Sequence, residues 1–257
     1  MSHPFRTLAL MGALLLSSVA ATAATSKNTA EADLAHNSGR NYLADGRADL
    51  ALEQFKKATE LDDGNYFAYK GMGLAYAQLK NYKEAEKALR KSLDINPDFA
   101  DARNDLATTL MLMGRKDEAR KEWESATKSP FNPTPDQTAA NLGNSYLEDK
   151  NYTEAALWFR DSLRRNELYP RAHVGLAAAL IGQGKADEAL YGLEKVINKW
   201  PADKGPVDLE MLYTLGDLYY KAGRFAEART RLEAVLKADP VGVWGRRAGE
   251  QLKQFPK

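Results

Sequence analysis

Residues 66–99 read YFAYKGMGLAYAQLKNYKEAEKALRKSLDINPDF, and this stretch decides the fold. Its skeleton is Gly73, Tyr76, Ala85, Leu89 and Pro97. The skeleton returns along the chain with a period of 34 residues, stretched at two places. The small residue recurs as Gly39, Gly73, Ala107, Gly143, Ala177 and Gly216. The alanine recurs as Ala51, Ala85, Ala119, Ala155, Ala189 and Ala228. The bulky residue recurs as Phe55, Leu89, Trp123, Phe159, Leu193 and Leu232. Three units close on proline, at Pro97, Pro201 and Pro240. Small residues at constant phase from large ones mark two helices in close approach, because a larger side chain would force them apart.

Small, aromatic, alanine, bulky and proline in that order resembles the tetratricopeptide repeat. The resemblance implies an all-α, right-handed α-solenoid of about six helix-turn-helix units, a scaffold for binding rather than an enzyme. The units read as 32–65, 66–99, 100–133, 136–169, 170–203 and 209–242. In the second unit helix A is expected over Tyr66–Leu79 and helix B over Lys83–Ile95. Gly46, Gly114, Gly184 and Gly223 mark turns where left-handed backbone suits a residue without Cβ. In the second and fourth units Asn81 and Asn151 are the expected left-handed residues. Asn96-Pro97 and Asp239-Pro240 end their helices, since the residue before proline is pushed out of the helical region. The three prolines of Ser129–Pro135 predict a bend or a stiff surface loop. Residues 243–257 read as a capping helix, with Val243, Ala248 and Leu252 inward and Arg246, Arg247, Glu250 and Lys253 outward.

Charge and composition narrow the partners. Lys and Arg number 36 against 35 Asp and Glu, whereas a chain that neutralises phosphates carries a basic excess. Nucleic acid is therefore not the expected partner. The chain has no cysteine, which excludes disulfides, thiolate metal sites and a cysteine nucleophile. At the N-terminus His3 and Arg6 precede the apolar run Leu8–Leu16, and Ala21-Thr22-Ala23 fits the small-x-small pattern of signal peptidase. Residues 1–23 are expected to be a signal peptide and 24–31 a flexible lead-in. Secretion across the inner membrane, and in a double-membrane bacterium a periplasmic location, is the expectation.

Reactive chemistry is sparse. Of three histidines, His36 and His173 lie about four repeats apart, and there is no HExxH, complete phosphate loop or nucleophile elbow. Gly182-Gln183-Gly184-Lys185 reads as a turn glycine and a solvated lysine. No cofactor and no metal site is expected. In the repeat family helix A lines the concave face, which nominates Arg40, Phe67, Lys70, Asn104, Met111, Asn141, Asn144, Leu147, Arg171, Tyr213 and Tyr220 as groove residues. Leu43, Leu74, Thr108, Val174, Ile181 and Asp217 share those register positions. Asn104, Asn141 and Asn144 can donate to and accept from an extended peptide, while Met111 and Leu147 receive apolar side chains. The expected partner is a protein or an extended peptide segment. The paired Lys and Asn of a carboxylate clamp are absent, because Lys70 has Leu74 at its partner position.

A narrower resemblance lies in the middle of the chain. Pro130-Phe131-Asn132-Pro133-Thr134-Pro135-Asp136, then Ala139-Ala140-Asn141-Leu142-Gly143, Phe159-Arg160 and Tyr169-Pro170-Arg171-Ala172 resemble the type IV pilus biogenesis proteins that act as secretin pilotins. The resemblance implies a periplasmic scaffold whose partner is a secretin subunit. Those proteins carry a lipid on a cysteine after the signal sequence, and this chain has none. That departure points to a soluble relative or to another periplasmic repeat group. A structural subunit of a secreted or cell-surface complex, or an accessory to a cell-wall enzyme, is the alternative.

Overall fold

A computed structural model describes residues 28–255. The expected signal peptide at 1–23 lies outside these residues. Among them there are thirteen α-helices and no strand. Helix α1 covers 28–44, so residues 28–31, expected as flexible lead-in, are its first turn. It is followed by α2 (Ala48–Leu61), α3 (Tyr66–Gln78), α4 (Tyr82–Ile95), α5 (Ala100–Leu112) and α6 (Lys116–Lys128). Next come α7 (Pro135–Glu148), α8 (Tyr152–Arg165), α9 (Pro170–Gly182) and α10 (Ala186–Asn198). A short 3-10 turn, Ala202–Lys204, leads to α11 (Leu209–Lys221), α12 (Phe225–Ala238) and α13 (Val243–Leu252). The protein is an all-α repeat solenoid built of helical hairpins.

The chain divides into two compact units, one running through Glu122 with Ser129–Asn132, the other made of Trp123–Lys128 and Pro133 onward. In the first unit α3 packs on α2 and α4, and α5 on α4 and α3. Phe55 is fully buried, and a Cβ on Gly39 or Gly71 would stand 2.7 or 2.5 Å from its ring. Gly73 relates in the same way to Leu89, at 2.5 Å. The glycines therefore set the approach of helix to helix, which is the steric role that their spacing implies.

The second unit repeats the device. Phe159 is fully buried where α7, α8 and α9 meet, against Gly143 and Gly175, and Leu232 sits against Gly216. Each helix from α7 to α13 packs on the next, and α7 on α9, α9 on α11 and α11 on α13 as well. A polar contact also recurs in register. Ser92 Oγ donates to the Tyr66 carbonyl and Ser162 Oγ to the Asp136 carbonyl, both at 2.8 Å, tying the end of helix B to the start of helix A.

Two local expectations are corrected. The left-handed residues of the second and fourth turns are Lys80 (φ 59°) and Lys150 (φ 58°), not Asn81 and Asn151. Asn81 and Asn151 instead cap helix B with φ of −89° and −81°, and the Asn151 side chain accepts from the Glu154 amide. The 34-residue phase explains it: Lys80 and Lys150 fall where Gly46, Gly114 and Gly184 fall, and that position must be left-handed whichever residue holds it. Val243, expected inward, is 53% exposed. The buried stripe of α13 is Gly245, Ala248 and Gln251, which turns Val243 outward. The Ser129–Thr134 stretch is not helical, and Phe131 on it is exposed.

Candidate functional site

A hollow in the first unit measures about 740 Å³ and is built mainly by α1 and α3. From α1 come Asp33, His36, Asn37, Arg40, Leu43 and Ala44, one stripe at helical spacing. Helix α3 supplies Phe67, Lys70, Gly71 and Leu74, again one stripe. Phe55 closes the floor, and Phe99 and Asp101 stand at the start of α5. Gly71 matters twice here, since its missing side chain both seats Phe55 and leaves the hollow open.

The walls are aromatic. The Phe67 ring meets Phe99 edge-on at 5.2 Å and Tyr66 at 4.3 Å, and His36 stacks at a tilt on Phe55 and Phe67 at 5.8 and 6.1 Å. Phe67 nevertheless stays 47% exposed, so the cluster presents a face to solvent. Lys70 Nζ sits 5.7 Å from the centre of the Phe99 ring and 3.6 Å from Asp105 Oδ2. At that separation the two are an ion pair without a hydrogen bond, and Oδ2 is enclosed with no hydrogen-bond partner. Burial pushes the Asp105 carboxyl up to about 6; Asp101 adds to the shift and Lys70 opposes it. Burial holds the His36 imidazole below its ordinary value, with Arg40 and Lys70 adding to the effect and Asp33 opposing. Arg40 is exposed and has no ion-pair partner among the described residues.

A second hollow, in the second unit, measures about 410 Å³ and is polar. Tyr213, Asp217 and Tyr220 of α11 face Arg247, Glu250 and Gln251 of α13 across it. Part of its polar lining is engaged internally, while Gln251 Oε1 is enclosed without a hydrogen-bond partner. Asp217 accepts from Lys221 Nζ at 2.6 Å and from Gln251 Nε2 at 2.9 Å, and the Tyr220 hydroxyl donates to the Gln254 carbonyl at 3.3 Å.

The nominated groove residues thus separate. Arg40, Phe67 and Lys70 meet in the first hollow with Leu43 and Leu74, and Tyr213 and Tyr220 meet in the second. Asn104 and Met111 lie half-buried on α5 and line neither. Asn141, Asn144 and Leu147 lie half-buried on α7, where Leu147 packs beside Ala140, Ala155 and Phe159. Arg171 is exposed in the first turn of α9, and Val174 packs partly buried into the core beyond it. The sequence reading missed His36, Phe99 and Asp105. Asp105 was within reach, because it lies at the sixth position of its unit, next in register to the fifth position that Lys70 holds in the unit before. Phe99 escaped because it precedes its helix as the N-cap and belongs to no helix-A register position.

Among the described residues no cluster of three metal-ligating side chains occurs, and no helix is long and apolar enough to cross a membrane. The arrangement offers an aromatic wall, two cations and open space, which suits an apolar side chain carried on a polar segment.

Five family models, all described as tetratricopeptide repeat, match residues 32–65, 66–99, 88–121, 137–173 and 168–240. The chain belongs to the tetratricopeptide-repeat family. Among solved structures it is similar to that of Pseudomonas aeruginosa pilF, with a TM-score of 0.69 and 20% identity over 88% of this chain and 99% of that one. It is similar also to PilW, described as a widely conserved type IV pilus biogenesis factor, with a TM-score of 0.69 and 19% identity over 84% of this chain and 97% of that one. At these identities the likeness is one of fold. A curated relative, Protein CTR9 homolog of Arabidopsis thaliana, is 23% identical over 203 residues, 76% of this chain and 18% of that protein. The chain spans less than half the length of the first curated relatives that it matches.

Proposed function

We propose that the protein is a non-enzymatic scaffold that holds a segment of a partner protein in the first-unit hollow. The observation that carries this reading is the half-exposed Phe67–Phe99 wall beside the exposed Arg40 and the loosely held Lys70. Aromatic and arginine side chains around a concavity are the groups that dominate binding energy at protein interfaces. The partner segment is apolar at its anchor and polar along its backbone. The site of action is the periplasm, a reading that rests on Leu8–Leu16 and Ala21-Thr22-Ala23. The process is assembly of a type IV pilus or its secretin, a reading supported by the Pro130–Asp136 resemblance and by the fold shared with PilW.

The test is photo-crosslinking of the full chain in native envelope, with a reactive group placed at Asn37 on the hollow's rim. Enrichment of a secretin subunit, lost in a Phe67→Ala variant that remains folded, supports the whole reading. Enrichment of other envelope proteins, lost in the same variant, keeps the hollow and removes the pilus. Capture that Phe67→Ala leaves unchanged removes the hollow.

A further inference from the structure

The outer faces of the B helices differ from unit to unit, and the difference is visible at one register position. Two residues after the repeat alanine stand Glu53, Lys87, Lys121, Leu157, Tyr191 and Thr230. The first three are charged, as a solvated helix face requires. On α8 and α10 the position carries large apolar side chains instead, and both are exposed, Leu157 by 53% and Tyr191 by 66%. Neither side chain is needed to fill a core. At the next position α8 has Trp158, half-buried, and α10 has Gly192, around which a Cβ would meet nothing.

Helices α8 and α10 each pack on α9, and one side-chain bridge joins them on this face. Arg160 Nη2 donates to Glu188 Oε1 at 3.1 Å across the gap between them. Beside that bridge an apolar cleft of about 170 Å³ opens among α8, α9 and α10, with Leu163, Leu176, Leu180 and Leu193 in its walls together with Gly192. Along α8 a shallow hollow of about 410 Å³ runs past Leu157 and Trp158 to Arg164. Large exposed apolar side chains repeated at one register position, with polar residues around them, mark an interaction face.

The rim charges say what covers it. Around the apolar centre, Glu154 on α8 and Asp187 on α10 make an acidic end, where Glu188 is paired with Arg160 and Lys185 stands exposed at the N-cap of α10. Arg164 and Arg165 on α8 and Lys195 on α10 make a basic end, where Glu194 beside Lys195 is paired with Arg224 at 3.8 Å. Asp161, which lies within the basic end, is held between Arg164 and Arg165 and keeps only 12% of its side chain exposed. On α4, by contrast, Lys83, Glu84, Glu86, Lys87 and Arg90 mix the two signs. A face with an acidic end, an apolar centre and a basic end is complementary to itself when turned by half a revolution. A twofold axis through the centre lays each acidic end on the other copy's basic end and Leu157 and Tyr191 against their counterparts.

We infer that the α8–α10 outer face is a self-association surface, and that its occupant is the same face of a second copy of this chain. The inference is independent of the first-unit hollow. Its test is sedimentation velocity of the full chain over a wide concentration range, at low and at moderate salt. The expected result is a monomer–dimer equilibrium that weakens with salt. Leu157→Lys with Tyr191→Lys, which copies the lysines that α4 and α6 carry at this position, should abolish the dimer and leave the helical circular dichroism unchanged. The decisive arm uses two charge variants. Arg164→Glu with Arg165→Glu makes both ends acidic, and Glu154→Lys with Asp187→Lys makes both ends basic. Each alone should be monomeric, and an equimolar mixture should dimerise. A wild-type chain that stays monomeric throughout overturns the inference. So does a dimer indifferent to Leu157→Lys with Tyr191→Lys, or a mixture of charge variants that does not associate. Capture of a different protein by this face of a monomeric chain assigns the patch to a heterologous partner and overturns it equally.

Discussion

The hollow of the first unit and the hollow of the second are built on the same register positions of helix A, yet they differ in what is left to bind. In the second, Asp217 is satisfied by Lys221 and Gln251 and the Tyr220 hydroxyl by a carbonyl of the chain's own last turn. An incoming segment that used Asp217 or the Tyr220 hydroxyl would have to replace bonds already made, which lowers the net gain. In the first, the aromatic wall is half exposed, Arg40 has no ion-pair partner among the described residues and the Lys70–Asp105 pair is too long for a hydrogen bond. Binding there completes contacts rather than exchanging them. The register sets where a concavity forms, and the internal satisfaction of its polar groups decides whether it is a site.

The sharpest way to break the contrast is to fill the first hollow from within. Gly71→Leu places a side chain on the Phe55 ring, where a Cβ alone would be 2.5 Å away, and should cost about 1–3 kcal/mol through overpacking. Thermal unfolding followed by circular dichroism measures it, and partner capture should vanish at temperatures where the variant is still folded.

Asp105 gives the next effect. Its folded value is raised from 3.8 to about 6, so the folded state holds the proton more tightly than the unfolded chain does. Stability from this group is therefore full below the unfolded value and falls as pH rises through the window up to about 6, then stays level. Asp105→Asn should remove that slope and stabilise the protein at neutral pH by about 1–2 kcal/mol, read from denaturant unfolding at acid and neutral pH. Lys70 tolerates the change because 24% of its side chain remains in solvent.

Phe67→Ala should weaken partner binding about tenfold, corresponding to about 1.4 kcal/mol, with little change in stability because the ring is half exposed. Competitive crosslinking against the unaltered chain reads the ratio. The smallest effect belongs to the second hollow. Tyr220→Phe removes one exposed hydrogen bond and should cost about 0.5 kcal/mol in stability while leaving partner capture intact. If Tyr220→Phe abolished capture and Phe67→Ala did not, the two hollows would exchange roles.

What the sequence made legible follows from the range of each physical cause. Gly73 against Leu89 and Gly143 against Phe159 are contacts between helices of one hairpin, so a fixed spacing exposes them. The turns were half legible. Asparagine's tolerance of left-handed backbone pointed to Asn81 and Asn151, whereas the phase of the glycines pointed to Lys80 and Lys150, and position prevailed over residue preference. The first hollow was legible through Arg40, Phe67 and Lys70 but not through His36, Phe99 or Asp105. His36 and Asp105 hold inward register positions, the fifth and sixth of their units, but their residue types drew no attention there; Phe99 precedes its helix, and the approach of Asp105 to Lys70 depends on how one repeat stacks upon the next. Val243 misled because an amphipathic stripe fixes the spacing of inward residues but not which of two adjacent stripes turns inward.

The two lysine turns have a kinetic consequence. A side chain in left-handed backbone costs about 1 kcal/mol that glycine would not. Lys80 and Lys150 therefore leave the hairpins α3–α4 and α7–α8 cheaper to open than those turning on glycine. In an array where each repeat leans only on its neighbours, opening follows the local deficit rather than the whole. Amide hydrogen exchange should be faster in the last turn of α3 and of α7 than in that of α9. Lys80→Gly and Lys150→Gly should each slow it, turning two points of native-state breathing into rigid corners without touching either hollow.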